Sequence, residues 1–198
     1  MKINEIFSSI QGEGAYAGHP VTFVRTSGCT RKCDFCDTKY HTNGKTMSTD
    51  AIVEQIKNKG LETIVWTGGE PLLQINGIFR VMEKLKGYKN HLETNGDINI
   101  GINFNHFDYV CISPKDLKST KKVSKYKIAT QKDIKVVTDL TLNKELISYA
   151  TMLMPLSTGN KEIDLKTEQT LWNYCVENNF KFTLRQHTHV WDLNDRGV

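Results

Sequence analysis

The chain has 198 residues, 38% of them hydrophobic and 24% charged, with a formal net charge of +4. That length holds one domain with a sizeable core and leaves little room for a second, and the apolar fraction excludes a disordered chain. No apolar run approaches the ~20 residues of a membrane span, MKINEIFSSIQGEG lacks the apolar stretch of a signal peptide, and the weak basic bias lacks the clustered excess of a dedicated nucleic-acid binder, so a cytoplasmic protein with no membrane and no direct nucleic-acid partner is expected.

From residue 21 onward, strand-like and helix-like segments alternate. VTFVRT (21–26) is apolar and β-branched. STDAIVEQIKNKG (48–60) opens on capping residues at Ser48 to Asp50, sets Ile52, Val53 and Ile56 on one helical face and ends at Gly60. ETIVWTGG (62–69) reads as a strand running into a glycine turn, and Leu72 to Lys86 as a helix facing inward with Phe79, Met82 and Leu85. HLETNG (91–96) and FDYVCISPK (107–115) are strands that end in loops. DIKVV (133–137), TMLMP (151–155) and KFTLR (181–185) are further strands, with helices over LNKELISYA (142–150) and DLKTEQTLWNYCVENN (164–179). Strands separated by helix-length segments pair in parallel through crossovers. The prediction is a single α/β domain over residues 1–198. About six parallel strands with few helices form a partial, TIM-like barrel, because a complete eightfold barrel takes roughly 250 residues. The loops TSGC, TGGEP, ETNG, SPK and MPL each follow a strand. They therefore line the end of the sheet where parallel α/β folds collect ligands.

Lys115, Lys118, Lys121, Lys122, Lys125 and Lys127 form a basic run opposed only by Asp116. A solvated surface loop is one reading, and a docking patch for an acidic electron donor or for phosphate is the other. Five cysteines are an odd number, which argues against a disulfide framework. Cys111 in YVCIS and Cys175 in LWNYCVEN read as buried small hydrophobes. Cys29, Cys33 and Cys36 stand within eight residues in GCTRKCDFCD. With His41 as fourth ligand they could close a tetrahedral zinc site. As thiolates on an iron–sulfur cluster they leave one iron open to a substrate or cofactor. The C-x3-C-x2-C spacing with Phe35 before the last cysteine is the specific feature, and Gly28 lets the chain turn tightly ahead of it.

That loop, with TGGEP (67–71) behind the strand TIVW, resembles the radical S-adenosylmethionine (SAM) superfamily. The resemblance implies that Cys29, Cys33 and Cys36 hold a [4Fe–4S] cluster whose open iron chelates SAM. It also implies that Gly69 and Glu70 fix the methionyl amine, on glycines that bare their backbone to the ligand. Within the superfamily, IFSSIQGEGAYAG (6–18), VTFVRTSGC, TGGEP, ETNG, SPK and a late R-Q-H-T-H segment are similar to the 7-carboxy-7-deazaguanine synthase family of the queuosine pathway, over most of the chain. This implies conversion of 6-carboxy-5,6,7,8-tetrahydropterin to 7-carboxy-7-deazaguanine with loss of ammonia, through a 5′-deoxyadenosyl radical.

The same resemblance assigns residues. Gln11, Glu13 and Gly14 would grip the pterin edge, Arg25 would fork onto its carboxylate, and Thr67 and His187 would also touch the substrate, with His189 as the competing histidine. Glu93, Thr94, Ser113 and Lys115 would reach SAM, unless Lys115 belongs to the basic run. Thr38 would offer a hydroxyl to Mg2+, with Asp37 as the weaker candidate. Arg185 and Thr188 depart from the family, where Gln and Lys are expected. The carboxylate of Val198 could approach the pocket. A flavodoxin or ferredoxin donor and a homodimer are implied as well. Two rivals remain: a glycyl-radical-enzyme activase of the same superfamily, and a zinc-stabilised RNA-binding module.

Overall fold

The structure, a computed structural model, describes residues 1–33, 36, 42–128, 130–191, 195 and 197. Among them, nine strands make one open sheet: β1 (Lys2–Ile10), β2 (Pro20–Thr26), β3 (Lys45–Thr46), β4 (Thr63–Gly68), β5 (Lys89–Thr94), β6 (Tyr109–Ile112), β7 (Gln131–Thr138), β8 (Met152–Pro155) and β9 (Lys181–Phe182). Their order is β3-β1-β2-β4-β5-β6-β7-β8-β9. β2 and β4 to β9 run parallel, and β1 is antiparallel to both of its neighbours. The α/β partial barrel is therefore present, with seven parallel strands in place of about six.

β1 has no counterpart among the elements read from sequence, and its register shows why. The pairing with β2 shifts between Ile3 and Glu5. The bulge puts Ile3 and Ile6 on one face although their spacing is odd, which scrambles the period-2 signal. The same shift turns Glu5 and Phe7 to the opposite face, opposite Arg25 and Phe23. Phe7 and Phe23 stack there with centroids 5.1 Å apart.

The helices cover one side of the sheet. α1 (Thr49–Lys57) starts where Ser48 accepts from the Ala51 N–H at 3.1 Å. Pro71 begins a 3-10 turn over Pro71–Gln74, so the helix expected from Leu72 begins only at Ile75, as α2 (Ile75–Lys84). Ile52, Ile56, Ile78 and Val81 pack on Val24, Ile64, Trp66, Leu92 and Val110. Each such side chain, fully buried, contributes about 1.5–3 kcal/mol. The Trp66 indole donates to Asn90 Oδ1 at 2.9 Å, which satisfies its one polar atom in that layer. The helix expected over 142–150 is a 3-10 segment, Lys144–Tyr149, entered through Asn143 in the left-handed region at φ 56°. α4 (Lys161–Asn178) starts before the expected Asp164 because Asn160 caps the N–H groups of Glu162 and Ile163. The basic run is not a loop: Asp116 caps it into α3 (Leu117–Val123) by accepting from the Ser119 N–H at 2.7 Å. A last turn, α5 (His187–Val190), follows β9.

The other face of the sheet points into the barrel. Alternation along the strands sends Val65 and Thr67, His91 and Glu93, Tyr109 and Cys111, and Asp133 and Lys135 to that side. Near the strands' amino ends His91 is 3% exposed and sits between Tyr16, 4.3 Å away, and Tyr109, 5.7 Å away. Neither of its ring nitrogens has a hydrogen-bond partner among the described residues. Burial lowers its pKa from 6.5 to about 4, with Lys89 and His19 adding to the effect and Asp108 opposing it. The folded state thus holds His91 neutral, while the unfolded chain takes up the proton first as pH falls. This group's contribution to stability is complete above pH 6.5 and is lost, by up to about 3 kcal/mol, between there and about pH 4. His91→Leu should flatten that slope, measured as urea unfolding at both pH values against the parent chain.

Candidate functional site

The carboxyl ends of β2, β4, β5 and β6 deliver TSGC, TGGEP, ETNG and SPK to one rim. A single cavity opens there, walled by Gln11, Glu13, Arg25, Cys29, Cys33, Cys36, Thr67, Gly69, Glu93, Thr94, Ser113, Lys115 and His187. Of the described site residues expected from sequence, all but Gly14 and Glu70 line it. Thr38 lies outside the described residues, as do Phe35, Asp37, His41 and Val198.

The cysteine loop is tied down by its own intervening residues. Arg31 donates from Nε to Asp97 Oδ2 at 2.8 Å and from Nη2 to Asp97 Oδ1 at 2.5 Å, while its Nη1 pairs with Asp116. Thr30 donates to Asp97 Oδ2 at 2.7 Å and accepts from Asn95 Nδ2 at 2.9 Å. Arg31 first, then the Thr30 hydroxyl, hold the Asp97 carboxyl below the usual carboxylate range. Asn95 and Asp97 from the loop after β5 and Asp116 from the loop after β6 thus clamp the segment between Cys29 and Cys33. The Arg31 N–H and Asn95 Nδ2 also approach Cys29 Sγ, at 3.4 and 3.9 Å.

Three residues of TGGEP are tied into the fold itself. Cβ atoms on Gly68 and Gly69 would collide with the backbone oxygens of Thr26 and Gly28. These glycines are required first by the approach of β4's end to β2's, and only then bare a wall to the cavity. The Glu70 carboxylate does not reach the cavity. It is fully buried and accepts from Thr94 Oγ1 at 2.8 and 2.9 Å, from the Asn95 N–H at 2.8 Å and from the Leu72 N–H at 3.0 Å. Burial raises its pKa above the ordinary value against the pull of those donors. Its side chain pins ETNG to the turn at Pro71, which occupies the Thr94 hydroxyl too.

The opposite wall is charged. Glu13 accepts from Arg185 Nε at 3.0 Å and from the Lys135 ammonium. Burial alone would raise the Glu13 carboxyl, but Lys135 and Arg185 hold it well below the usual carboxylate range. The same pairing raises Lys135 against its own burial. Glu93 takes Gln11 Nε2 on one oxygen at 3.0 Å and the Thr67 hydroxyl on the other at 2.9 Å. Arg25 reaches Glu5 Oε1 from Nε at 2.7 Å and lies over the Phe7 ring at 5.8 Å. Lys115 donates to Ser113 Oγ at 2.8 Å, so it belongs to the cavity and not to the exposed basic run.

His187 packs so closely on Gly12 that a Cβ there would stand 2.8 Å from its Nδ1. His189 points elsewhere, with Nε2 3.0 Å from Glu168 Oε1, so His187 is the cavity histidine. Gly14 lies behind the wall at φ +78°, its N–H donating to Thr183 Oγ1 at 2.8 Å. Lys135 was missing from the sequence reading because a lysine inside DIKVV carries no local mark of burial. Arg185 was visible only as a departure from a family pattern. Cys111 is buried as expected, although it borders the cavity, and burial pushes its thiol up to about 11. Cys175 is buried in a second core with Leu171 and Val136.

The three rim cysteines are half-buried, stand outside any disulfide and line the cavity. No three Cys, His, Asp or Glu side chains among the described residues are already gathered at metal-binding distance. The donor type nonetheless fits an iron–sulfur cluster, which is held by thiolates, and the polar rim beside it fits a ligand carrying amine, carboxylate and hydroxyl groups.

A profile of the radical SAM superfamily matches residues 23–156. The chain is 34% identical over 191 residues to a 7-carboxy-7-deazaguanine synthase of Bacteroides thetaiotaomicron, covering 95% of each. It is 29% identical to the enzyme of that name from Halobacterium salinarum, covering 97% of this chain and 91% of the relative. The crystal structure of QueE from Escherichia coli superposes with a TM-score of 0.69 at 22% identity, over 94% of each chain, which supports the fold.

Asp97→Asn keeps the clamp's shape and removes its charge. It should lower stability to urea by about 1–2 kcal/mol and reduce the iron retained per chain after anaerobic reconstitution. Unchanged iron content and an unchanged unfolding midpoint would show that the clamp is idle.

Proposed function

The chain belongs to the radical SAM superfamily and, within it, to the 7-carboxy-7-deazaguanine synthases, and from that premise we propose that its rim cavity is where 6-carboxy-5,6,7,8-tetrahydropterin becomes 7-carboxy-7-deazaguanine with loss of ammonia. The observation that carries the assignment of the site is the meeting of Gln11, Glu13, Arg25, Thr67 and His187 with three cysteine thiols on the walls of one cavity. When bound at Cys29, Cys33 and Cys36, the [4Fe–4S] cluster with SAM supplies one-electron cleavage of a carbon–sulfur bond and hence a hydrogen-abstracting radical. Everything else the protein does is binding, orientation and exclusion of side reactions.

The residues divide by chemistry. An ionised carboxylate only accepts hydrogen bonds, and the pyrimidine edge of a pterin offers N–H and amino donors. Glu13, kept ionised by Lys135 and Arg185, matches that edge, and its two oxygens retain lone pairs for it. Glu93 holds the Gln11 amide and the Thr67 hydroxyl in fixed directions, which spares their ordering on binding. Arg25, held in place by Glu5 and the Phe7 ring, suits the substrate carboxylate as a fork. His187 closes the wall beside Gly12. Gly69, Ser113 and Lys115, on the rim next to the cysteines, suit the amine, carboxylate and ribose of SAM, and Thr94 lines the same rim with its hydroxyl given to Glu70. Glu70 and Gly14 act from behind, by fixing ETNG and the QGEG turn. Mg2+ completes the cofactor set, with the Thr38 hydroxyl as its assigned protein ligand.

Residues 1–198 work in this reading as one catalytic domain, since cavity walls come from both ends of the chain. The external reductant is a flavodoxin or ferredoxin, the working assembly a homodimer and the compartment the cytoplasm. Among the described residues no helix is long and apolar enough to cross a membrane. The glycyl-radical activase has no use for the Glu13 and Arg25 pocket.

The test is anaerobic reconstitution with iron and sulfide, followed by SAM, Mg2+ and the carboxy-tetrahydropterin, with mass spectrometry of the product. A brown protein that releases the deazapurine is expected. A colourless protein holding one tetrahedral zinc sinks the reading, and so does SAM cleavage that only a partner protein elicits. Glu13→Ala and Arg25→Ala should each lower kcat/KM at least about 30-fold, the equivalent of about 2 kcal/mol for one partner of a buried charge pair.

A further inference from the structure

α3 carries charge for which the chemistry of the cavity has no use. Lys118, Lys121, Lys122 and Lys125 are all exposed. Lys118, Lys121 and Lys122 stand at i, i+3 and i+4 of α3, and Lys125 follows in the turn just past its end at Val123. Like charges at such spacings destabilise a helix by about 0.2–0.5 kcal/mol per pair. Residues 117–128 contain no acid to offset them. The two acids at hand, Asp97 and Asp116, are both engaged by Arg31. Among the described residues, Lys118, Lys121 and Lys125 have no acidic partner. Lys32, on the cysteine loop itself, is exposed too.

The position of this stripe is fixed by contacts. Asp116, the cap of α3, pairs with Arg31 between Cys29 and Cys33. Lys122 donates to the Asp97 carbonyl at 3.0 Å, and Tyr126 donates to the Gly96 carbonyl at 3.0 Å. The stripe is therefore braced against the loop that carries the cysteines, while Lys115, one turn earlier, faces the cavity.

We propose that the lysine stripe of α3, with Lys32, is the docking surface for an acidic, soluble one-electron carrier protein that delivers its electron at the cysteine loop; this rests on the cluster assignment of Cys29, Cys33 and Cys36. One electron leaves the carrier, which is oxidised by one, and enters the cluster, which is reduced by one, with no bond made or broken at the surface. A clustered charge of one sign beside the entry point raises the encounter rate and orients the carrier, and it suits the small, transient interfaces of redox partners.

The experiment uses the reconstituted full chain and a flavodoxin as probe. The parent is compared with a triple Lys118→Glu, Lys121→Glu, Lys125→Glu variant and with the milder Lys→Gln triple at the same positions. Lys122 is left intact because it supports Asp97. Flavodoxin binding is titrated calorimetrically at low salt and at roughly 0.3 M salt. SAM cleavage is driven in parallel by reduced flavodoxin and by dithionite. The Glu triple should bind flavodoxin at least about tenfold more weakly at low salt and lose the salt dependence, with the Gln triple between. Its flavodoxin-driven rate should fall in step while its dithionite-driven rate stays within about twofold of the parent. Unchanged binding and unchanged flavodoxin-driven rate in both triples overturn the proposal. It is equally overturned by a parallel fall in the dithionite-driven rate, or by a tRNA whose binding needs these lysines while flavodoxin binding does not. Absence of deazapurine product in the dithionite-driven parent counts against the substrate reading alone, because the calorimetric titration is read without the pterin.

Discussion

The end of β4 touches the end of β2 with no room for a side chain between them. Gly69 donates to the Thr26 carbonyl at 3.3 Å, Glu70 donates to the Gly28 carbonyl at 2.8 Å, and any Cβ on Gly68 or Gly69 would enter backbone atoms of Thr26 or Gly28. That contact brings the cysteine loop against TGGEP. From there the ties run in series around the rim. Glu70 reaches Thr94 and Asn95, Asn95 reaches Thr30, and Asp97 and Asp116 reach Arg31. Four loops on four neighbouring strands become one assembly. The thiols are held by a network in which the polar groups are paired, as their burial requires.

The opposite wall is built on carboxylates that are fixed before any ligand arrives. Glu13 stands between two cations and Glu93 between an amide and a hydroxyl. A buried ion pair contributes little net stability after desolvation. Its return here is geometric: an acceptor held ionised and aimed, in a place where an isolated carboxylate would take up a proton. The bulge in β1 serves the same wall, because it turns Glu5 and Phe7 inward to hold Arg25 from beneath and beside. The cavity therefore has a soft-ligand end at the cysteines and an ion-paired end at Glu13, with the Glu93 bridge between them. That division suits a cofactor at one end and a polar heterocycle at the other.

How much of this was legible in the chain varied with the range of the interaction. Cys29, Cys33 and Cys36, TGGEP, ETNG and SPK declared themselves because each is a short run whose spacing alone carries meaning, and each closes a strand with strong apolar character. The strands β2, β4, β5, β6 and β7 were visible for the same reason. β1 was not, since a bulge breaks the alternation that marks a strand. The stripe of lysines read as loop because a single capping residue, Asp116, and three buried positions in Leu117–Val123 give a weak helical pattern. Glu70 reads from the sequence as a ligand residue, and in the structure its carboxylate is buried against Thr94 and Asn95. Its neighbours in sequence point to the cavity, and only the arrival of Thr94 and Asn95 from the next strand turns its carboxylate inward.

By itself the sequence determined the chemistry available: three thiols in one loop, glycines after an apolar strand, a polar loop at the start of the chain, and alternating elements that set all of them at one end of a parallel sheet. Each motif is a local property, written in one short run of chain. The tertiary structure alone decided which charges meet. Lys135 joins Glu13 across 122 residues and Arg185 joins it across 172, His187 rather than His189 turns to the cavity, and Glu70 is spent on holding a loop. Pairings of that range depend on where the sheet curls and which faces its strands present, and no segment of chain carries that information until the strands are packed together.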